Sequence, residues 1–135
     1  MALIVDTGPL VAAIDRADPD HTRCARLLAD TREQLIVPTV VLVEVEYFLR
    51  RLPGAFGGLM RDVAQSAIET YALGRADVVR AGELVETYRD LSLGFVDAAV
   101  IATAERLGET RVATLDHRHF RVVRPAHVET LELLP

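Results

Sequence analysis

Two short apolar runs that each stop at an aspartate constrain this chain more than any other feature. Ala2-Leu3-Ile4-Val5 breaks into Asp6-Thr7-Gly8-Pro9, and Arg111-Val112-Ala113-Thr114-Leu115 delivers Asp116. Short Val/Ile/Leu runs bounded by turn residues read as buried strands. If the two strands are parallel, both carboxylates stand at one edge of a sheet, the edge on which open α/β sheets carry their chemistry. Each aspartate taken alone has two readings: a turn-capping acid that accepts backbone N–H bonds, or a member of a functional cluster.

Between these runs the hydrophobic period alternates. Leu10, Val11 and Ile14 place a short helix over residues 7–16. Asp18 as cap and Pro19 at the first helical position start a second, continued by Cys24, Leu27 and Leu28 toward Asp30. Leu35-Ile36-Val37 reads as a strand ended by Pro38, and Thr39 as the cap of a helix running to Arg51. Residues 53–58, with three glycines and a proline, read as a loop. A helix over 59–65, a strand over 68–73 and a helix over 78–88 follow. Leu93-Gly94 then turns the chain into an Ala-rich helix over 95–107, closed by Gly108. Val122-Val123 and the stretch 128–134 complete the sheet. Strands alternating with helices predict an α/β fold with a parallel sheet covered on both faces. A length of 135 residues with 50% hydrophobic content suits a single domain over 1–135.

Composition excludes several function classes. A formal charge of −5 argues against a protein that coats nucleic acid by bulk positive charge, but not against a nuclease whose acidic site is neutralised by a metal. All 15 basic residues are Arg, and the absence of Lys removes Walker-type phosphate loops, Schiff-base enzymes, haloacid-dehalogenase-type phosphatases and receiver domains. The single Cys24 cannot form an internal disulfide and reads as a packing residue. No apolar run reaches the roughly 18 residues of a bilayer span, and no basic segment precedes a signal-type core, so a cytoplasmic protein with no membrane association is expected.

Two further acids lie in apolar settings. Glu44 interrupts Val40-Val41-Leu42-Val43-Glu44-Val45, where a carboxylate is costly unless paired, hydrogen-bonded or bound to a cation; Glu46 better suits a solvated helix face. Asp97 falls in the first turn of the helix that begins Phe95-Val96, where the helix dipole alone could account for it. The alanines that follow let this helix approach its neighbours closely and press the carboxylate toward the core edge. If Glu44 and Asp97 enter from helix starts at the edge that holds Asp6 and Asp116, four carboxylates converge, and their mutual repulsion calls for a cation. Acids without Cys or His ligands point to Mg²⁺ or Mn²⁺ and away from Zn²⁺.

Four segments in order carry a family resemblance: Val5-Asp6-Thr7-Gly8-Pro9-Leu10, Val37-Pro38-Thr39-Val40-Val41-Leu42-Val43-Glu44, Leu93-Gly94-Phe95-Val96-Asp97-Ala98-Ala99, and Ala113-Thr114-Leu115-Asp116 with Phe120 beyond. The chain resembles the PIN-domain ribonucleases, most closely the VapC toxins of toxin–antitoxin pairs, over essentially its whole length. The resemblance implies a three-layer α/β/α sandwich and a metal site of Asp6, Glu44, Asp97 and Asp116. It further implies Mg²⁺- or Mn²⁺-dependent endonucleolytic cleavage of RNA, a homodimer, and inhibition by a small cognate antitoxin protein. Thr7 and Thr114 match positions where relatives carry a hydroxyl near the site. Where some relatives carry a further acid, this chain has Arg118 and His119. Other classes stay open: a PIN-like module that holds RNA or antitoxin without cutting, and an acid-cluster phosphatase, which the missing lysine disfavours.

Arg118 and Arg121, with Arg124 beyond, follow Asp116 closely and are either RNA-phosphate contacts or solvated surface residues. His117 and His119 would share one face of a strand, but no third histidine lies near, and the acids suffice for a hard-metal site, so neither is needed as a ligand. Tyr47, Phe48, Leu49 and Phe56 are either core residues or the lining of a partner groove.

Overall fold

β1 (Ala2–Val5) is the centre of the sheet, with every residue buried, as expected of a strand covered on both faces. The computed structural model describes residues 1–135. β2 (Gln34–Pro38) pairs with one side of β1, with Leu3 opposite Leu35 and Ile4 opposite Ile36, and β3 (Glu69–Tyr71) extends that side. β4 (Arg111–Ala113) pairs with the other side, with Val5 opposite Ala113, and β5 (Glu132–Leu134) closes it. All pairings are parallel and the order is β3-β2-β1-β4-β5. The chain thus winds outward from β1 in one direction and then restarts at β4 on the other side. The carboxyl ends of β1 and β4 flank the switch point where such sheets open a crevice.

Seven helices cover the sheet, giving the expected three-layer α/β/α sandwich: α1 (Thr7–Ile14), α2 (His21–Asp30), α3 (Thr39–Leu49), α4 (Ala55–Ala64), α5 (Arg75–Thr87), α6 (Phe95–Leu107) and α7 (His117–Val122). α1 packs on α2 and α3, α5 packs on α6, and α6 lies over β1 and β2. α6 is buried continuously from Ala98 to Ala104, with the small side chains of Ala98, Ala99, Ala102 and Ala104 permitting close contact. α3 buries Val41, Val45 and Leu49 at four-residue intervals and turns Val43 and Tyr47 outward. No helix is long and apolar enough to cross a membrane.

Several element boundaries differ from the sequence expectation, each for a local reason. α1 stops at Ile14 and α3 at Leu49. Asp18 does not cap α2: its side chain accepts from Asp20 N–H at 2.8 Å within the preceding turn, and Asp20 occupies the cap position. Pro38, not Thr39, precedes the first residue of α3. α4 begins at Ala55, inside the expected loop, because Phe56, Leu59, Met60 and Val63 pack on the core and outweigh the cost of Gly57 and Gly58 in a helix. Only Gly54, with φ of 81°, needs the glycine backbone there. β3 is shorter than 68–73. α5 starts at Arg75, where the buried Asp77 carboxylate accepts from Gly74 N–H and Tyr71 O–H, both at 2.8 Å. The largest difference follows Asp116: Val122 ends a helix and Val122-Val123 is no strand, since Phe120 on α7 and Val123 just past its end fill the core. The last strand is only Glu132–Leu134.

Candidate active site

Asp6 and Asp116 meet at the switch point through a shared hydroxyl. Asp6 caps α1: its Oδ1 accepts from Thr7 N–H at 2.8 Å, and its backbone N–H donates to Ala113 O at 2.9 Å, tying the ends of β1 and β4 together. The fully buried Thr114 donates its hydroxyl to Asp6 Oδ2 at 2.9 Å and accepts from Asp116 N–H at 3.0 Å. Thr7 donates its own hydroxyl to Glu44 Oε1 at 2.7 Å, drawing the half-buried Glu44 on α3 toward the same edge. A chain of contacts therefore runs from Glu44 through Thr7, Asp6 and Thr114 to Asp116. Gly8 makes room for it, since a Cβ there would stand 3.2 Å from the Leu115 side chain just before Asp116.

Asp97 reaches the edge from the first turn of α6. Beside it stands His119, whose Nδ1 lies 3.5 Å from Asp97 Oδ2 and 2.6 Å from Asp116 Oδ2. Asp116 is the cap of α7 and accepts from His119 N–H at 3.3 Å, so the His119 side chain returns over its own helix start. The strand geometry expected for His117 and His119 is replaced by a helix that separates them. His117 turns away, with Nε2 3.0 Å from Thr114 O. The one available signal for His119 was its three-residue spacing from Asp116, which matters only once residues 117–122 are helical.

The carboxylates are held in a state of mutual repulsion. Burial, then the Asp97 charge, push the Asp6 carboxyl from its ordinary 3.8 to about 7, with Glu44 adding less and the Thr7 and Thr114 hydrogen bonds opposing. Burial, then the Asp116 charge, push Asp97 to about 6, against the opposing influence of His119. Like-charge proximity of this kind is relieved by a cation or by protons. Asp97, Asp116 and His119 bring ligand atoms within 4.8 Å of one another, without a thiol, while Asp6 and Glu44 stand outside that group yet near enough for their charges to act on Asp97 and on each other, and Glu44 Oε2 receives no hydrogen bond from the protein. Such a set fits a divalent cation of the Mg²⁺ or Mn²⁺ type.

The profile of the PIN domain family matches residues 3–125. Ribonuclease VapC26 of Mycobacterium tuberculosis (strain ATCC 25618 / H37Rv) is 33% identical over 125 residues, 91% of this chain and 93% of the relative. The chain belongs to the PIN domain family, in its VapC branch. Solved structures repeat the fold of this PIN domain. M. tuberculosis VapC20, a sarcin-ricin loop cleaving toxin, superposes with a TM-score of 0.75 at 21% identity, over 82% of this chain and 87% of that one. VapBC2 from Rickettsia felis, bound to a DNA fragment from its promoter, gives 0.68 at 20% identity over the full length of both chains. FitAcB from Neisseria gonorrhoeae gives 0.64 at 14% identity, over 98% and 96%.

Around the acid edge of this PIN domain, Arg118 and Arg121 are exposed on α7, one turn apart, and neither is ion-paired. On α3, Glu44 lines a groove of about 620 Å³ together with Val43, Tyr47, Phe48 and Phe56. Tyr47 and Phe48 are exposed and meet edge to face, while Leu49 is core. Glu46 lies on the solvated side as expected, accepting from Arg50 Nη2 at 2.7 Å.

Proposed function

We propose that this PIN domain, a single unit over residues 1–135, is a Mg²⁺- or Mn²⁺-dependent endoribonuclease and the toxin of a toxin–antitoxin pair. The observation that carries this reading is the convergence of Asp6, Glu44, Asp97 and Asp116 on the switch-point edge, with Asp6 and Asp97 raised by burial and repulsion. These four residues would hold the metal. Bound there, a divalent cation would supply positive charge at the phosphate and lower the pKa of a water for in-line attack at phosphorus. Thr7 and Thr114 fix where the carboxylates point, and Arg118 and Arg121 supply planar donors to the flanking RNA phosphates.

RNA incubated with the purified, antitoxin-free protein should yield discrete fragments with Mg²⁺ or Mn²⁺ and none with chelator. RNA bound but uncut in saturating metal would favour the non-catalytic module instead. Phosphate contact by the arginines has its own signature: Arg118→Ala or Arg121→Ala should flatten the plot of log affinity against log salt by about 0.7 per lost contact. An unchanged slope in both variants would leave them as solvated surface.

Thr114→Val keeps the shape of a fully buried side chain while removing the hydroxyl between Asp6 and Asp116. The Asp116 N–H then loses its acceptor, a loss of about 1–3 kcal/mol in stability. Metal affinity should fall about 10–100-fold, as for other groups that orient ligands. Calorimetry and thermal unfolding read the two effects.

The antitoxin is proposed to lay an apolar segment along the α3 groove, whose lining includes the exposed Tyr47 and Phe48 and also Glu44, the acid that Thr7 ties to the site. Tyr47→Glu should weaken inhibition at least about tenfold, the effect of losing an aromatic anchor, without changing metal affinity. The working form is taken to be a homodimer, with sedimentation as its check.

A further inference from the structure

His119 brings a nitrogen to a site otherwise built from oxygen. One ligand atom each from Asp97, Asp116 and His119 fits within 4.8 Å of the others. The separations of His119 Nδ1 from Asp97 Oδ2 and Asp116 Oδ2, 3.5 Å and 2.6 Å, bracket the roughly 3.0 Å between adjacent donors around an octahedral ion with bonds of about 2.1 Å. Nδ1 is shielded from solvent, yet it has no partner in hydrogen-bond geometry, despite two carboxylate oxygens so near. A buried ring nitrogen left in that condition is unfavourable. A third centre between it and the carboxylates would satisfy all three residues.

We propose that His119 is a nitrogen ligand of the cation held by Asp97 and Asp116, and that it makes the site favour Mn²⁺ over Mg²⁺. The inference rests on the metal-dependent reading given above. Mg²⁺ takes oxygen donors and gives up water reluctantly, whereas first-row transition ions accept imidazole more readily. Coordination through Nδ1 leaves Nε2 to carry the ring proton. His117 cannot substitute, because its ring is turned to the Thr114 carbonyl.

Pulsed electron paramagnetic resonance of the full chain loaded with Mn²⁺ tests the assignment without reference to activity. The expected spectrum carries ¹⁴N modulation from a bound imidazole, converts to the ¹⁵N pattern when the protein is grown on ¹⁵N-histidine, and is unchanged in His117→Gln. His119→Ala and the size-conserving His119→Gln should both abolish the modulation. They should also weaken Mn²⁺ at least as much as the about 10–100-fold lost with an outer-shell partner, while Mg²⁺, measured by competition, changes less than about threefold. Mn²⁺ that is bound, and released by Asp97→Asn, yet shows no nitrogen coupling would overturn the role of His119 and leave the metal-dependent reading standing. Equal weakening of Mn²⁺ and Mg²⁺ in both His119 variants would overturn the preference. Failure of the chain to bind Mn²⁺ at all would overturn both readings.

Discussion

Asp97→Asn is expected to reduce RNA cleavage by about a hundred- to a thousandfold, an effect as large as removing a principal electrostatic group from an active site. The asparagine keeps the volume and one acceptor oxygen, so helix α6, held by the continuous burial of Ala98 to Ala104, should form unchanged. What is lost is the negative charge that faces Asp116 and Asp6 and that would bind the cation. Asp6→Asn should behave alike, because Asp6 is the innermost acid and the one bound by both Thr7 and Thr114. Metal titration by calorimetry should show the same order of loss as cleavage. Retention of full activity in both variants would remove the acid edge from the mechanism.

The second expected result runs against intuition: without metal, Asp6→Asn should be more stable than the natural protein near neutral pH. The Asp6 carboxyl titrates at about 7 in the fold and near 3.8 when the chain is unfolded. Its folded form therefore holds the proton more tightly, and the stability this gives is full below about 3.8 and is lost as pH rises through about 7. Asp97 acts in the same sense between 3.8 and about 6. Asparagine does not ionise, its carbonyl can still accept from Thr7 N–H, and its amide can donate to the Thr114 hydroxyl. The advantage of the variant should be nearly absent at pH 4 and grow to about 2–4 kcal/mol by pH 7. For a chain of this size that is roughly 5–15 °C in Tm. Mn²⁺ at about 1,000 times Kd should reverse the order, since binding at that excess stabilises the natural protein by about 4.1 kcal/mol. Thermal unfolding at the two pH values, with and without metal, decides the matter. A natural protein more stable than Asp6→Asn at pH 7 without metal would show that the acids are not in conflict.

The acids were legible because each left a local mark. Asp6 and Asp116 end apolar runs, Glu44 interrupts one, and Asp97 follows a Gly turn. The two threonines stood beside them in the resemblance, and the structure gives both a hydrogen-bonding task. The groove was less legible. Tyr47, Phe48 and Leu49 are alike in hydropathy, and only the rotation of α3 separates the two exposed aromatics from the buried leucine.

The alternation of strands and helices, and the set of acids at strand and helix ends, follow from the order of residues alone. Hydrophobic period and turn chemistry act over a few residues and need no partner to be read. The form of residues 117–122, by contrast, depends on packing across the fold. Six residues are too few to be helical unaided, and α7 exists because Phe120 is buried and the Asp116 carboxylate accepts from His119 N–H. That helix in turn carries His119 into the acid edge, which no strand through the same residues would do. The charge state of the edge was likewise decided there, because burial and repulsion depend on how closely β1, α3, α6 and the end of β4 converge.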